Sequence, residues 1–129
     1  MATFNSVEDI EAWKLARDLA REIYQVSGRG PFSRDFALRD QVRRACISVM
    51  SNIAEGFERN GTGEFLQFLS IAKGSVGELK SQMYIAYDQH YLDKTEFDRL
   101  SATTSKIGNM IGGVMEYLRK TSIKGAKYK

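Results

Sequence analysis

The chain has 129 residues, 43% of them apolar and 27% charged, with a net charge of +3; this is the size of one domain and an ordinary globular composition. No apolar run approaches the ~20 residues needed to cross a bilayer, and the segment Met1 to Ile10 has acids where a signal peptide has bases and an apolar stretch, so a cytoplasmic protein is expected. The lone cysteine, Cys46, excludes an internal disulfide and a Cys-rich zinc site, and the lone histidine, His90, excludes two-histidine metal sites within one chain.

A single proline, Pro31, interrupts the chain, and no stretch alternates with the period of a strand. The first helix is predicted from about Val7 to Ser27, with Ser6 and Asp9 as a capping pair. Ala12, Leu15, Ala16, Leu19, Ile23 and Val26 recur at steps of three and four and make one apolar stripe. Lys14, Arg17 and Arg21 are balanced by Asp18 and Glu22 beside them. Gly28-Arg29-Gly30-Pro31 ends the helix.

The second helix is predicted to start between Ser33 and Phe36 and to end near Arg59. Its stripe is Leu38, Val42, Ala45, Cys46, Val49, Ile53 and Phe57, and Ile47, Met50 and Ala54 widen the apolar surface. So wide a stripe implies burial against more than one neighbour, within the chain or between chains.

Asn60-Gly61-Thr62-Gly63 breaks the chain before a third helix, Glu64 to about Gln89. It carries Phe65, Phe68, Leu69, Ala72, Val76, Leu79, Met83 and Ala86 on one stripe. Gly74, Ser75 and Gly77 sit at its middle. Glycine costs about 1 kcal/mol against alanine in a helix, so the pair predicts close packing of another backbone there. They are not a phosphate-binding loop, which would need a preceding strand and a Gly-Lys-Ser/Thr ending.

Asp93-Lys94-Thr95-Glu96 has the capping-box pattern and opens the fourth helix. Its stripe is Phe97, Leu100, Thr104, Ile107, Ile111, Val114 and Leu118, with Gly108, Gly112 and Gly113 repeating the small-residue theme. Fraying is expected between Arg119 and Ile123. Arg119, Lys120, Lys124, Lys127 and Lys129 all follow the last acid, Glu116, so the rest of the chain has fewer bases than acids, 14 against 16. The basic character is largely that of a tail from about residue 119, read as a solvated terminus or as an arm for phosphate backbones. Helices of ~20–27 residues reach roughly 30–40 Å. Their matched lengths and short connections predict an all-α fold, an antiparallel up-down-up-down four-helix bundle forming one domain over residues 1–129.

Such bundles often hold di-iron sites built from Glu and Glu-x-x-His. Glu55, Glu58, Glu78 and Glu116 supply carboxylates, but the histidines are missing and His90 lies in a connection. No cofactor and no metal are expected. Cys46 lies in an apolar stripe and reads as a buried small hydrophobe rather than an activated thiolate. Catalysis has no base to rest on. Arg39, Arg43 and Arg44 cluster at the start of the second helix, where Asp35 and Asp40 can pair with part of them. They are read either as salt-bridging residues or as a phosphate-contacting patch, to which Lys73 and Lys80 would add. Phe65, Phe68 and Phe97 belong to core stripes, so no aromatic stacking platform is evident. Ser48, Ser51, Asn52, Glu55 and Gly56 read as a buried polar network in which Asn52 and Glu55 bond neighbouring helices, since unpaired burial costs several kcal/mol.

Arg43-Arg44-Ala45 and Ser51-Asn52-Ile53-Ala54-Glu55-Gly56-Phe57 carry a resemblance. So do Ala12-Trp13-Lys14, Glu64-Phe65, Phe68-Leu69, Ala72-Lys73-Gly74-Ser75, Glu78-Leu79 and Tyr91-Leu92. Over roughly residues 7–118 the chain resembles the bacterial four-helix-bundle family of 23S rRNA intervening-sequence proteins, which includes the accessory variability proteins of diversity-generating retroelements. It departs in having Met50 where many relatives have proline, which weakens an expected kink. It has His90 where many have glycine, so His90 is expected in the left-handed conformation. The resemblance implies a cytoplasmic homo-oligomer, a pentamer in several relatives, with a nucleic-acid connection and no catalysis. A reverse-transcriptase partner would follow only for a protein encoded in a retroelement. The resulting expectation is a non-enzymatic oligomer that binds structured RNA or DNA through Arg39, Arg43, Arg44, Lys73, Lys80, Arg119 and Lys120. The alternatives are a protein–protein interaction scaffold that binds no nucleic acid, and an enzyme of unknown type.

Overall fold

A computed structural model describes residues 4–124, with side chains through Thr121. It has four helices and, among the described residues, no strand. The helices are α1 (Glu11–Ser27), α2 (Phe36–Glu58), α3 (Thr62–Asp88) and α4 (Lys94–Lys124). Each packs against its neighbour in sequence, and α4 closes back onto α1, giving the expected four-helix bundle. The core is the sum of the four stripes. Ile23, Val42, Ile53, Leu79, Met83, Leu100, Ile107 and Ile111 are wholly removed from solvent.

The ends of the helices follow local chemistry. Before α1 the chain makes a single 3-10 turn, Val7–Asp9, and Ile10 is extended. The helix thus begins later than the sequence predicts. The Asp9 carboxylate accepts from the backbone N–H groups of Asn5 and Ser6, which closes the turn, and Ile10 then inserts into the core. Pro31 lies in a second 3-10 turn, Gly30–Arg34. Asp35 caps α2 by accepting from the Leu38 N–H at 3.1 Å. Asp93 and Glu96 form the reciprocal capping box, at 2.8 and 3.1 Å. His90 has φ +65°, the left-handed conformation expected where relatives carry glycine.

The α1–α2 and α3–α4 connections meet at one end of the bundle. Phe32 stacks on Tyr91 with ring centroids 5.0 Å apart, and the Tyr91 hydroxyl donates to Asp35 at 2.9 Å. Arg29 binds both carboxylate oxygens of Glu96, and its guanidinium holds the Glu96 carboxyl below the usual carboxylate range. Arg99 of α4 pairs with Glu22 of α1 at 2.9 Å.

Two expectations about small residues and helix ends are corrected. Gly74 and Gly77 are exposed, and a Cβ at either would meet open space. Close approach occurs instead at Gly56, where a Cβ would meet Phe68 and Phe65, and at Gly108, where it would stand 3.3 Å from Val76 Cγ1. Helix α4 also continues to Lys124 through the stretch predicted to fray. Leu118 is buried there and still anchors the last turns. The tail cations Lys127 and Lys129 lie outside the described residues.

Candidate nucleic-acid interface

The three arginines of α2 have three different environments. Arg43 reaches back to the end of α1. Its Nε donates to Ser27 Oγ at 2.9 Å, its Nη2 donates to the Tyr24 carbonyl at 3.3 Å, and its Cζ lies 4.5 Å from the centre of the Tyr24 ring. A cation on the last carbonyls of a helix satisfies acceptors that have no helical partner and complements the negative end of the dipole. Arg43 therefore ties α1 to α2. Arg39 donates to the Ser33 carbonyl at 3.1 Å, pairs with Asp40 at 3.1 Å and lies over the Phe36 ring. Asp35, expected to share in this pairing, instead caps α2 and takes the Tyr91 hydroxyl. Arg44 is exposed and has no partner among the described residues.

The lysines form a second group elsewhere. Lys73 and Lys80 are exposed and unpaired among the described residues. They are two helical turns apart, hence on one face of α3. A Cβ on Gly112 of α4 would lie 3.7 Å from Lys73 Cε, so the Lys73 stem runs along α4. Because α3 and α4 are antiparallel, Arg119, two turns beyond Gly112, prolongs the same seam past Lys73. Lys80, Lys73 and Arg119 thus form a row of roughly 20 Å, at about 10 Å per two turns. Arg119 meets Glu116 only at 3.9 Å with both side chains more than half exposed, a contact worth little in water. Lys120 beside it is exposed and unpaired among the described residues. The seven sequence-predicted cations are therefore not one patch: Lys73, Lys80 and Arg119 follow the α3–α4 seam, Lys120 lies next to Arg119 on α4, and Arg39, Arg43 and Arg44 lie on α2.

The polar residues of α2 also separate. Ser48 and Ser75 hydroxyls share a hydrogen bond of 2.7 Å that links α2 to α3. Asn52 donates to the Ser48 carbonyl at 2.8 Å and to Ser48 Oγ at 3.0 Å, so it bonds its own helix and reaches α3 only through Ser48. Glu55 shows no bond to a neighbouring helix among the described residues. Its carboxylate pairs with Arg59 at 2.8 Å, one turn away, and is half exposed, because its position on α2 points outward from the stripe. Ser51 is exposed. Gly56 is the closely packed member, under the first turns of α3.

These geometries offer charge rather than reactive groups. Burial pushes the Cys46 thiol up to about 12, so it stays protonated near neutral pH. Among the described residues no three His, Cys, Asp or Glu side chains gather closely enough to hold a metal ion. Tyr24 and Phe36, which are not among the residues predicted to bind, are 42% and 62% exposed. Their signal was positional: Phe36 falls well off the Leu38–Val42–Val49–Ile53 stripe, where a core aromatic would not stand.

A family model described as "23S rRNA-intervening sequence protein" matches residues 8–113. A solved structure from Bacteroides thetaiotaomicron, described as a protein with unknown function from the S23 ribosomal protein family, is similar with a TM-score of 0.73 and 16% identity. That likeness covers 81% of this chain and 97% of the other, and at such identity it speaks to the fold alone. No curated protein matches the chain.

Proposed function

The chain belongs to the 23S rRNA-intervening sequence protein family, and from that footing we propose that it is a non-enzymatic, cytoplasmic bundle that assembles with copies of itself and binds structured RNA or DNA through its basic surface. The observation that carries the reading is the α3–α4 row, where Lys73 and Lys80 are exposed without an acidic partner among the described residues and Arg119 extends the line. Cations left unpaired by their own fold are available to displace counterions from phosphates. Arg44 adds a further cation on α2 that has no partner among the described residues. Self-association, with a pentamer as the expected form, is supported by Ile47, Ile71 and Ile85, which are about half exposed on α2 and α3.

The test is a titration of a fluorescein-labelled RNA hairpin with the full chain at several salt concentrations. Binding that weakens log-linearly as salt rises supports phosphate contact. Absence of binding at low salt overturns it and leaves the second reading, a protein-binding scaffold, which the same exposed isoleucines favour. Light scattering tests the assembly: a monomer at micromolar concentration contradicts it.

A further inference from the structure

Aromatic side chains in this bundle normally pair with one another. Phe32 stacks on Tyr91, Phe57 meets Phe65 edge-on, and Phe97 contacts Tyr84 and Tyr87. Three rings meet an arginine instead: Phe68 is partly buried under Arg59, whose Cζ lies 5.1 Å from its centroid, and the other two are exposed. Phe36 and Tyr24 are among the exposed large apolar side chains, and the partner of each ring is an arginine: Arg39 Cζ lies 4.8 Å from the Phe36 centroid and Arg43 Cζ 4.5 Å from that of Tyr24. Both arginines are held in place by backbone carbonyls, Arg39 by Ser33 and Arg43 by Tyr24. Arg34 and Arg44, close to Phe36 and Arg43 in sequence, are exposed and without an acidic partner among the described residues.

We infer that Phe36 and Tyr24, each backed by a fixed guanidinium, form a stacking platform for unpaired nucleobases, with Arg34 and Arg44 taking the adjacent phosphates. This rests on the nucleic-acid reading above and narrows it from charge alone to single-stranded or looped segments. A planar ring with a cation on one face and solvent on the other presents a surface on which any base can stack, with little preference for sequence. The faces of bases within a duplex are covered by their neighbours, whereas bases splayed from loops and bulges present theirs to such a ring. The charge is complementary as well: residues 34–44 hold Arg34, Arg39, Arg43 and Arg44, and of the acids among them Asp40 is paired with Arg39 and Asp35 is engaged in capping. Phe36 opens α2 and Tyr24 lies in the last turn of α1, so both rings sit on a rigid frame at one end of the bundle.

The full chain and its Phe36→Leu, Phe36→Trp and Tyr24→Leu variants are titrated by fluorescence anisotropy with a labelled mixed-sequence RNA strand and with its duplex. Light scattering and thermal melts accompany each variant. The expected result is a loss of about fivefold or more in single-strand affinity for Phe36→Leu, from the range typical of base–aromatic stacking. Duplex affinity and assembly should be unchanged, and Phe36→Trp should restore binding. Equal weakening for strand and duplex, or no change for either, overturns the platform while leaving the seam reading intact. A change of assembly in Phe36→Leu without a change in RNA affinity assigns this face to a second copy of the chain and also overturns it. Should Tyr24→Leu fail to fold through loss of the Arg43 contact, the Phe36 pair decides alone. If the wild-type chain binds neither RNA, both this inference and the reading beneath it fail.

Discussion

Gly56 in the last turns of α2 lies directly against Phe68 in the first turns of α3: a Cβ added to Gly56 would stand 2.8 Å from Phe68 Cβ and 2.9 Å from Phe65 Cδ1. Carbon atoms pack at about 3.5–4 Å, so the two helices can cross this closely only because position 56 has no side chain. Gly56→Ala is expected to cost about 1–2 kcal/mol, the overpacking penalty less alanine's helical advantage. Urea unfolding would show it as a lower midpoint with unchanged slope.

Gly74→Ala and Gly77→Ala should do the opposite. Both positions face open space, so each substitution should raise stability by up to about 1 kcal/mol. If either one dissociates an assembly instead, these glycines lie at a contact between copies.

Cys46 makes stability fall at high pH. Burial raises its thiol from 9.0 to about 12. Between these values the unfolded chain has lost the proton and the folded chain keeps it, so the folded state binds more protons and stability falls as pH rises. Urea melts at neutral pH and at about pH 10 should show a smaller loss for Cys46→Ala than for the wild type. Equal losses would mean that the thiol is not desolvated.

Arg43 and Arg44, adjacent in sequence, should separate in function. Arg43→Ala removes two hydrogen bonds to the end of α1 and is expected to cost about 1–3 kcal/mol of stability. Arg44→Ala should change stability by less than about 0.5 kcal/mol and weaken nucleic-acid binding. Unfolding curves and anisotropy on the same two variants check both halves.

The helices were legible because their apolar stripes repeat at 3.6 residues, a signal that dominates in long segments. The Asp93–Glu96 box and the left-handed His90 were legible because local chemistry decides them. The role of Arg43 was not. It depends on Ser27 and Tyr24, some sixteen to nineteen residues earlier, and nothing in the spacing shows that a side chain on α2 reaches the end of α1. Glycine in a helix predicts close packing, which holds for Gly56 and Gly108. Gly74 and Gly77 carry the same local signal but face outward, because contact depends on where the neighbouring helix lies. Glu55 was grouped with Asn52 for being polar near core positions, yet it lies off the stripe and pairs with Arg59 in water.

If the α3–α4 row contacts phosphates as proposed, its three cations set the salt dependence of binding. The most direct measurement compares the salt dependence of duplex DNA binding by the wild type and by the combined Lys73→Ala, Lys80→Ala, Arg119→Ala variant. Each lost phosphate contact should flatten the slope of log affinity against log salt by about 0.9 for B-DNA, so the triple variant should bind more weakly with a slope shallower by roughly 2.7. Unchanged affinity and slope in a folded triple variant would contradict the proposal.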